Sequence, residues 1–268
     1  MKNLILLILI ISLSFIVRAQ SRIGENIFND TIIHVITLRT LEDLTYDDFH
    51  QTLYNTYAPQ KSNDTIERTY SPCSITIDGL TLDTIGVRYK GHSTFDGLAS
   101  NGKYSYKIDF NEFVKGQKFD GLKKINLNNN RWDVTCMRNK LAMESMQRMG
   151  IVAPRTSYAK VYANGSYRGV YLLVEQVDKT FIKNRFPSDT IGYLYKMINW
   201  TGGPHTRPTP KAIKEGVKPK SKKNKDWSQP LINLWNKTNN TSDSLFYSTV
   251  NQFFDYGTFV KQMALQTF

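Results

Sequence analysis

A short glycine-containing loop lies directly after a predicted strand and carries several groups that could bind phosphate. Gly91, Ser93 and Thr94 supply backbone and hydroxyl donors, and Lys90 precedes them with a positive charge. Phosphate-binding sites combine flexible backbone donors with a cation, and this segment contains both. One glycine-containing loop is a weak signal, because an ordinary hairpin tip has the same composition. The two interpretations stay open on the residues alone.

Two further lysines lie on the next predicted strand. Lys103 and Lys107 are four residues apart, so a strand period of two places their side chains on one face. Both could point into one cleft and offer a cation to a phosphate group. Lysines on an exposed strand edge commonly do no more than contact water, and at least one of the pair fits that description. Lys90 is the third candidate for the phosphate cation.

The elements that must position these residues begin with strands and continue with helices. Alternating apolar and polar residues around Asp78-Gly79 and Asn164-Gly165 indicate two β-hairpins. A helix is predicted from Thr135, as its N-cap, to Met149, with a broad apolar face and Gly150 as its stop. The remaining predicted strands are 32–38, 104–110, 124–127 and 193–197, and the remaining predicted helices are 41–54, 177–184, 231–235, 245–254 and 259–268.

The first nineteen residues have the layout of a secretory signal peptide. Lys2 precedes an apolar run from Leu4 to Val17, and Ala19 offers a cleavage site before Gln20. The alternative is a membrane anchor, but the run is shorter than the ~20 residues that span a bilayer. We therefore expect a secreted or extracytoplasmic protein with no transmembrane segment in the mature chain.

Composition excludes several classes of protein. The chain has 268 residues, of which 40% are hydrophobic and 22% charged, which excludes collagen-like, coiled-coil and wholly disordered chains. Its net charge of +12 favours polyanionic ligands without naming one. Cys73 and Cys136 could form one disulfide after export, and two buried free thiols are at least as consistent with the sequence. No HExxH or GxSxG motif supports a metalloprotease or serine hydrolase.

A basic segment separates the first part of the chain from the last helices. Residues 202–225 contain four prolines and eight Lys or Arg against one Glu, which predicts an unordered loop. This loop has no interleaved aromatic residues, so we expect no nucleic-acid partner. The domains predicted are a signal peptide at 1–19, an α+β domain at 20–198, a basic Pro- and Lys-rich loop at 199–230 and helices at 231–268.

The order and spacing of several motifs resemble the CotH-type (spore coat protein H) atypical protein kinases. The resemblance covers about residues 32–197, and the predicted hairpin whose last strand reaches Glu175 is the last of its matching motifs. The matching motifs are Arg88-Tyr89-Lys90-Gly91-His92-Ser93-Thr94, Lys103-Tyr104-Ser105-Tyr106-Lys107-Ile108, Gly121-Leu122-Lys123-Lys124-Ile125-Asn126-Leu127, Met137-Arg138-Asn139-Lys140-Leu141-Ala142, and the hairpin from Val161 through Gly169 to Glu175.

The resemblance implies a kinase-like N-lobe with a twisted antiparallel sheet and helices, which transfers phosphate from ATP to Ser or Thr of coat or surface proteins. It implies ATP and Mg²⁺ (or Mn²⁺) as cofactors of the full-length protein, and secreted, coat or cell-surface proteins as partners. Glu144 is expected to pair with a strand lysine, and Glu175 to lie where such folds join their lobes and contact adenine. The expected nucleotide-binding residues are Lys90, Gly91, Ser93, Thr94, Lys103, Lys107, Glu144 and Glu175.

The catalytic and metal-binding Asp residues of this family come from a C-terminal lobe, after the helix that here begins near Asp255. No Asp or Glu follows Asp255, so we expect this lobe to be truncated, with its catalytic residues after Phe268 and no metal ligands in this chain. Whether the chain is an enzyme stays undecided, since the chain alone is expected to be inactive. The alternative function is a non-catalytic coat or surface adhesion protein of the same fold.

Overall fold

The computed structural model describes residues 22–42, 44–60, 68–91, 94–95, 102–188, 193–197, 210–220, 226–253 and 255–266. It confirms a mixed α+β protein. The strands are β1 Ile33–Thr40, β2 Ser71–Ile77, β3 Leu80–Lys90, β4 Ser105–Asp109, β5 Lys124–Asn128, β6 Thr156–Ala163, β7 Ser166–Glu175, β8 Tyr195–Met197 and β9 Val217–Pro219. The α-helices are α1 Tyr46–Tyr57, α2 Arg138–Arg148, α3 Lys179–Arg185, α4 Pro210–Gly216, α5 Gln229–Asn240, α6 Asp243–Val250 and α7 Tyr256–Gln266.

The first seven strands close into a barrel in the order β1-β2-β3-β4-β5-β7-β6. All neighbouring strands in it run antiparallel except β1 and β6, which pair in parallel from Ile33 opposite Tyr158 to Leu38 opposite Ala163. The expected antiparallel sheet is therefore corrected at this one pair. Alternation within each strand does not predict this parallel pairing, because β1 and β6 are more than a hundred residues apart in the chain.

Both predicted hairpins are confirmed, and their turns show why. Asp78 and Gly79 have φ values of 49° and 87°, and Asn164 and Gly165 have φ values of 42° and 78°. Two successive residues with positive φ form the turn whose twist matches that of the flanking strands. The Asn164 side chain also accepts from the backbone N–H of Thr40 and donates to its hydroxyl, so the β6–β7 turn is tied to the end of β1.

The barrel interior is apolar and aromatic, whereas the outer face of its central strands is polar. Ring-to-ring contacts join Tyr89, Tyr104 and Phe95 to one another and to helix α1, which buries Phe49, Leu53 and Tyr57. Strand alternation then turns the intervening residues outward. The fully buried interior residues of the central strands are Val87, Tyr89, Tyr106, Ile108, Ile125, Leu127, Tyr171 and Leu173.

Helix α1 begins later than the predicted 41–54 because a capping box fixes its start. The Thr45 hydroxyl accepts from the Asp48 backbone N–H, and the Asp48 carboxylate accepts from the Thr45 backbone N–H. This arrangement satisfies two donors at the helix start. The sequence prediction overlooked the Thr45–Asp48 spacing and placed the helix start five residues too early.

The predictions for helix α2 need two corrections. The helix begins at Arg138 rather than at Thr135, because the Asp133 carboxylate accepts from the Arg138 backbone N–H at 2.7 Å. None of its residues is buried, and Leu141 on the predicted apolar face is 50% exposed. The helix ends at Arg148, one residue before the predicted Met149, and the predicted stop Gly150 has a φ of 77° that reverses the chain.

The basic segment is partly ordered where the structure describes it. Residues 210–220 form helix α4 and strand β9, and β9 pairs antiparallel with β8. The composition predicted an unordered loop over this stretch. The backbone hydrogen bonds between β8 and β9 order part of it, and the side-chain composition gives no sign of that pairing. The predicted signal peptide at 1–19 lies outside the described residues.

Two further findings complete the fold. Cys73 and Cys136 are both free thiols, and burial raises the pKa of Cys73. Of the two alternatives that the sequence left open, the structure therefore shows separate thiols rather than a disulfide. No helix in the described part of the chain is long and apolar enough to cross a membrane.

Candidate functional site

The outer face of strands β3, β4 and β5 carries a group of cations in register. Arg88 on β3 lies opposite Lys107 on β4, and Lys107 lies opposite Asn126 on β5. The neighbouring row toward the loop places Lys90 opposite Ser105, and the row on the other side pairs Asp109 with Lys124. Since rows two residues apart point to the same face, these side chains all project outward.

Lys107 lies at the centre of this face, and its surroundings oppose its charge. Its Nζ donates to Gln176 Oε1 at 2.7 Å, a neutral acceptor. Burial, followed by the charges of Arg88, Lys124, Lys90 and Lys220, lowers the pKa of Lys107 from 10.5 to about 7. An amine held among cations without a bound carboxylate is arranged to accept an anionic ligand.

Lys90 extends the cationic face toward the glycine-containing loop. Its Nζ donates to Asn128 Oδ1 at 2.8 Å, again a neutral acceptor. Burial, followed by the charge of Arg88, lowers its pKa to about 8. Lys124 differs, because its amine contacts the Asp109 carboxylate at 2.5 Å. Burial alone would lower the pKa of Lys124, but the bond to Asp109 raises it above its ordinary value.

The glycine-containing loop adjoins this face through Gly91 and Thr94. Gly91 has a φ of 106°, and a Cβ added there would lie 2.1 Å from the Thr94 hydroxyl oxygen, so only glycine fits. The Tyr57 hydroxyl donates to the Gly91 carbonyl at 2.6 Å and holds the start of the loop in place. Ser93, the remaining predicted residue of the loop, lies outside the described residues.

A cavity of about 420 Å³ opens beside the loop, between the cationic face and the start of helix α2. It brings the predicted residues Lys90 and Thr94 together with two arginines near the helix start. The lining residues are Lys90, Thr94, Ser105, Asn128, Asn129, Asn130, Arg131, Trp132, Asp133, Arg138 and Asn139.

Lys103 does not share this site with Lys107. Its Nζ donates to the Val170 carbonyl on β7 and lies 4.6 Å from the centre of the Tyr171 ring. Lys103 precedes the first residue of β4, so strand alternation does not decide its direction. The expectation that both lysines point into one cleft is wrong for Lys103.

Glu144 does not pair with a strand lysine. Its carboxylate contacts Lys140 one helical turn earlier, and Lys140 also contacts Asp30 at 3.2 Å. Because α2 buries none of its side chains, its carboxylate stays with the nearest cation on the same helix. The ion pair expected from the resemblance is therefore replaced by a pair within the helix.

Two arginines form ion pairs with the buried carboxylate of Glu175. It is 2% exposed, and its carboxylate contacts Arg155 at 2.7 Å and Arg185 at 2.5 Å. Burial would raise its pKa, but the hydrogen bonds from Arg155 and Arg185 lower it below its ordinary value. These contacts tie the end of β7 to α3 and occupy the side chain, so contacts to a ligand here would come from the backbone.

The sequence prediction missed two residues of the cationic face and two others that affect Lys107. Arg88, Lys124 and Gln176 were not named as site residues, and Lys220 was assigned to an unordered loop. The alternation of β3 could have found Arg88, because it lies two residues before Lys90 on a correctly predicted hairpin strand. Lys220 carries no such signal, since its position depends on the pairing of β8 with β9.

Comparison with known proteins identifies the family. The family model described as CotH kinase protein matches residues 87–268, well over half of the chain. This chain belongs to the CotH kinase protein family. The matched region begins within β3 and includes every member of the cationic face.

A relative supports this assignment. The CotH-family chain is 32% identical over 118 residues to inner spore coat protein H of Bacillus subtilis (strain 168). The match covers 44% of this chain and 30% of the relative, so the chain matches less than a third of that protein's length.

Proposed function

We propose that this chain forms the nucleotide-binding lobe of a CotH-type phosphotransferase and holds the phosphate groups of ATP on its cationic face. The observation that carries the proposal is the group of cations around Lys107, whose amine hydrogen-bonds only a neutral side chain within the part of the chain that the structure describes. Binding an anion would relieve the repulsion between these cations and the cost of burying them. The strand order β3-β4-β5-β7-β6, with α2 between β5 and β6, supports the kinase-like arrangement implied by the resemblance.

The residues present fit a polyphosphate ligand. Lys107, Lys90 and Arg88 would hold its phosphate groups, while Gly91 lets the loop backbone pass close to Thr94, which lines the cavity beside Lys90. ATP supplies the phosphoryl group for transfer when it is bound. The described residues contain no group of three His, Cys, Asp or Glu side chains that could hold a metal ion, so we derive no step through Mg²⁺ or Mn²⁺.

We further propose that the protein is exported and acts on coat or surface proteins. The apolar run from Leu4 to Val17, followed by Ala19 as a cleavage site, supports export, and the name of the Bacillus subtilis relative supports a place in a coat. Sequencing the N-terminus of protein recovered outside the cell tests export, with Gln20 expected as the first residue. Recovery of intact Met1 in the membrane fraction would contradict it.

Isothermal titration of the full chain with ATP tests the nucleotide site. Lys107→Met is compared with Lys160→Met, which removes an exposed lysine from β6 of the same barrel. Loss of a charged hydrogen-bond donor to phosphate is expected to weaken ATP binding by about tenfold or more in Lys107→Met. Lys160→Met should bind ATP as the native protein does.

Two results would contradict the proposal, and they differ in meaning. Equal ATP affinity in Lys107→Met and Lys160→Met would remove the cationic face from the site. A native chain that binds no nucleotide, yet binds a coat or surface protein, would instead support the non-catalytic alternative. Thermal unfolding of each variant establishes that the comparison is made on folded protein.

A further inference from the structure

A second cavity lies between the ends of helices α2 and α3. Its volume is about 630 Å³, and Arg22, Arg155 and Arg185 line it together. Glu175 at the end of β7 bonds two of these arginines, whereas the next residue, Gln176, bonds the central lysine of the cationic face. Since successive side chains of an extended chain point to opposite sides, the cavity and the cationic face lie on opposite sides of the end of β7.

The arginines give this cavity an excess of positive charge. Each guanidinium is charged at every physiological pH. Burial would raise the pKa of Glu175, but the hydrogen bonds from Arg155 and Arg185 lower it, so its carboxylate is charged at neutral pH as well. No Asp or Glu is among the described residues that line the cavity. Three positive charges and one negative charge leave an excess of two.

Two of the arginines keep donors free for a ligand. Arg155 uses Nε and Nη2 for Glu175, and within the described residues its Nη1 makes no hydrogen bond. The side chain of Arg22 likewise has no hydrogen-bond or ion-pair partner in the described part of the chain, because the neighbouring Glu25 carboxylate accepts from the Arg22 backbone N–H. Both guanidinium groups can therefore donate to an anion in the cavity.

Backbone contacts hold the segment that carries Arg22 close to Arg155. Gly24 has a φ of 75°, and a Cβ added there would lie 2.9 Å from Arg155 Nη2, so only glycine allows this approach. The Gly24 backbone N–H donates to the Asp120 carbonyl at 2.7 Å, and the Asn26 backbone N–H donates to the Asp120 carboxylate at 2.8 Å. The connection between β4 and β5 therefore holds this segment in place.

The charge and the lining of the cavity fit a phosphate monoester better than a carboxylate or a nucleotide. A phosphate monoester carries about 1.5 to 2 negative charges at neutral pH, which matches the excess of two, whereas a carboxylate carries one. No aromatic residue is among the described residues that line the cavity. The guanidinium groups of Arg155 and Arg185 already cover the rings of Phe28 and Phe181 at 4.8 and 3.8 Å. The cavity therefore offers charge to a phosphate but no ring on which a base could stack.

We infer that this cavity is a second anion site, which binds the phosphate group of a phosphoserine or phosphothreonine side chain in a peptide. The inference goes beyond the proposed function, because it concerns a site on the other side of the sheet from the cationic face. Arg22 and Arg155 donate to the phosphate oxygens. The exposed side chains of Val152 and Asn184 line the same cavity and contact the flanking peptide.

The test follows the anisotropy of a short fluorescent peptide with one central phosphoserine as the full chain is added. Arg22→Gln removes a charge, and Val152→Glu places a carboxylate in the cavity at a residue that is 47% exposed. The matched controls are Arg148→Gln and Val114→Glu, which change exposed residues of the same types outside the cavity lining. The arginines bonded to Glu175 stay unchanged, because removing either would weaken the pairing of a buried carboxylate.

Arg22→Gln should weaken binding of the phosphopeptide by about tenfold, since one charged hydrogen bond is lost. Val152→Glu should weaken it by about tenfold or more, because a like charge then faces the phosphate. Both controls should stay within about twofold of the native protein. The unphosphorylated peptide, and the same peptide with aspartate in place of phosphoserine, should bind at least about tenfold more weakly. Thermal unfolding of each variant establishes that folded proteins are compared.

Several results would overturn the inference, and each differs from a failure of the nucleotide site. Equal binding of the phosphorylated and unphosphorylated peptides would remove the phosphate from the recognition. Unchanged binding in both Arg22→Gln and Val152→Glu would remove the cavity, and loss of the phosphopeptide in Lys107→Met would then place it on the cationic face. If inorganic phosphate or AMP competes as well as unlabelled phosphopeptide, the peptide ligand is wrong. The cavity variants should bind ATP as the native protein does, so the ATP titration of Lys107→Met tests the other site separately.

Discussion

Replacing Lys107 by Met should change how the stability of the protein depends on pH. Lys107 is a partly buried cation surrounded by Arg88, Lys90, Lys124 and Lys220, and its pKa is lowered from 10.5 to about 7. The native state therefore releases the Lys107 proton near pH 7, while the unfolded chain keeps it to about pH 10.4. Between these values the unfolded state binds more protons, so the stability of the native protein rises with pH.

The size of this effect follows from the two pKa values. Each pH unit above the native pKa adds about 1.4 kcal/mol, so the native protein should gain roughly 3 kcal/mol relative to Lys107→Met between pH 6 and pH 9. At pH 6 the variant should be more stable than the native protein by about 1–4 kcal/mol, because an apolar side chain then replaces a buried charge that is costly to desolvate. Gln176 Oε1 keeps a donor in the variant, because Asn126 Nδ2 also reaches it at 3.1 Å.

Urea unfolding at a series of pH values measures the difference in the free energy of unfolding between the two proteins. Subtracting the free energy of unfolding of the variant from that of the native protein removes the contributions of all groups that titrate alike in both proteins. Lys160→Met should keep a constant difference from the native protein over the same range. A constant difference for Lys107→Met as well would refute the account of Lys107 as a destabilised cation.

Three further predictions concern the frame around the site. Asn164→Ala should lower the free energy of unfolding by about 2–3 kcal/mol in urea titrations, because several buried hydrogen bonds of the β6–β7 turn are lost. Glu175→Gln should lower the melting temperature at pH 7. Since the pKa of Glu175 is lowered in the native state, its contribution is present above about pH 4.3 and is lost as pH falls below that value, so melting curves of the two proteins should converge in acid. Gly91→Ala should weaken ATP binding and lower the melting temperature, because of its φ of 106° and the contact with Thr94.

The hairpins and the central strands could be predicted from the sequence because their signals are local. Asp78-Gly79 and Asn164-Gly165 specify turns, and alternation on either side specifies strands. Lys90 and Lys107 were found because they lie on such strands. The parallel pairing of β1 with β6 could not be predicted, since no local pattern reports the pairing of segments so distant in the chain.

The other site residues were predicted wrongly for one physical reason: the partner of a side chain depends on tertiary packing. Lys103 lies before the first residue of β4, and it binds the Val170 carbonyl instead of facing the site. Glu144 lies on a helix whose residues stay unburied, so it pairs with Lys140. The backbone of Lys220 is placed by the pairing of β8 with β9, and the composition of its segment predicted no structure.

The most direct test of the cationic face as the phosphate site is the pKa of the Lys107 amine itself, with and without ligand. Isotope-labelled lysine allows the side-chain signals to be followed by NMR during a pH titration, and Lys107→Met assigns the signal. The account predicts a pKa of about 7 in the free protein, raised by ATP or tripolyphosphate because an anion favours the charged amine. A Lys107 pKa that is near 10.5 in the free protein, or that is unchanged by saturating ligand, would contradict it.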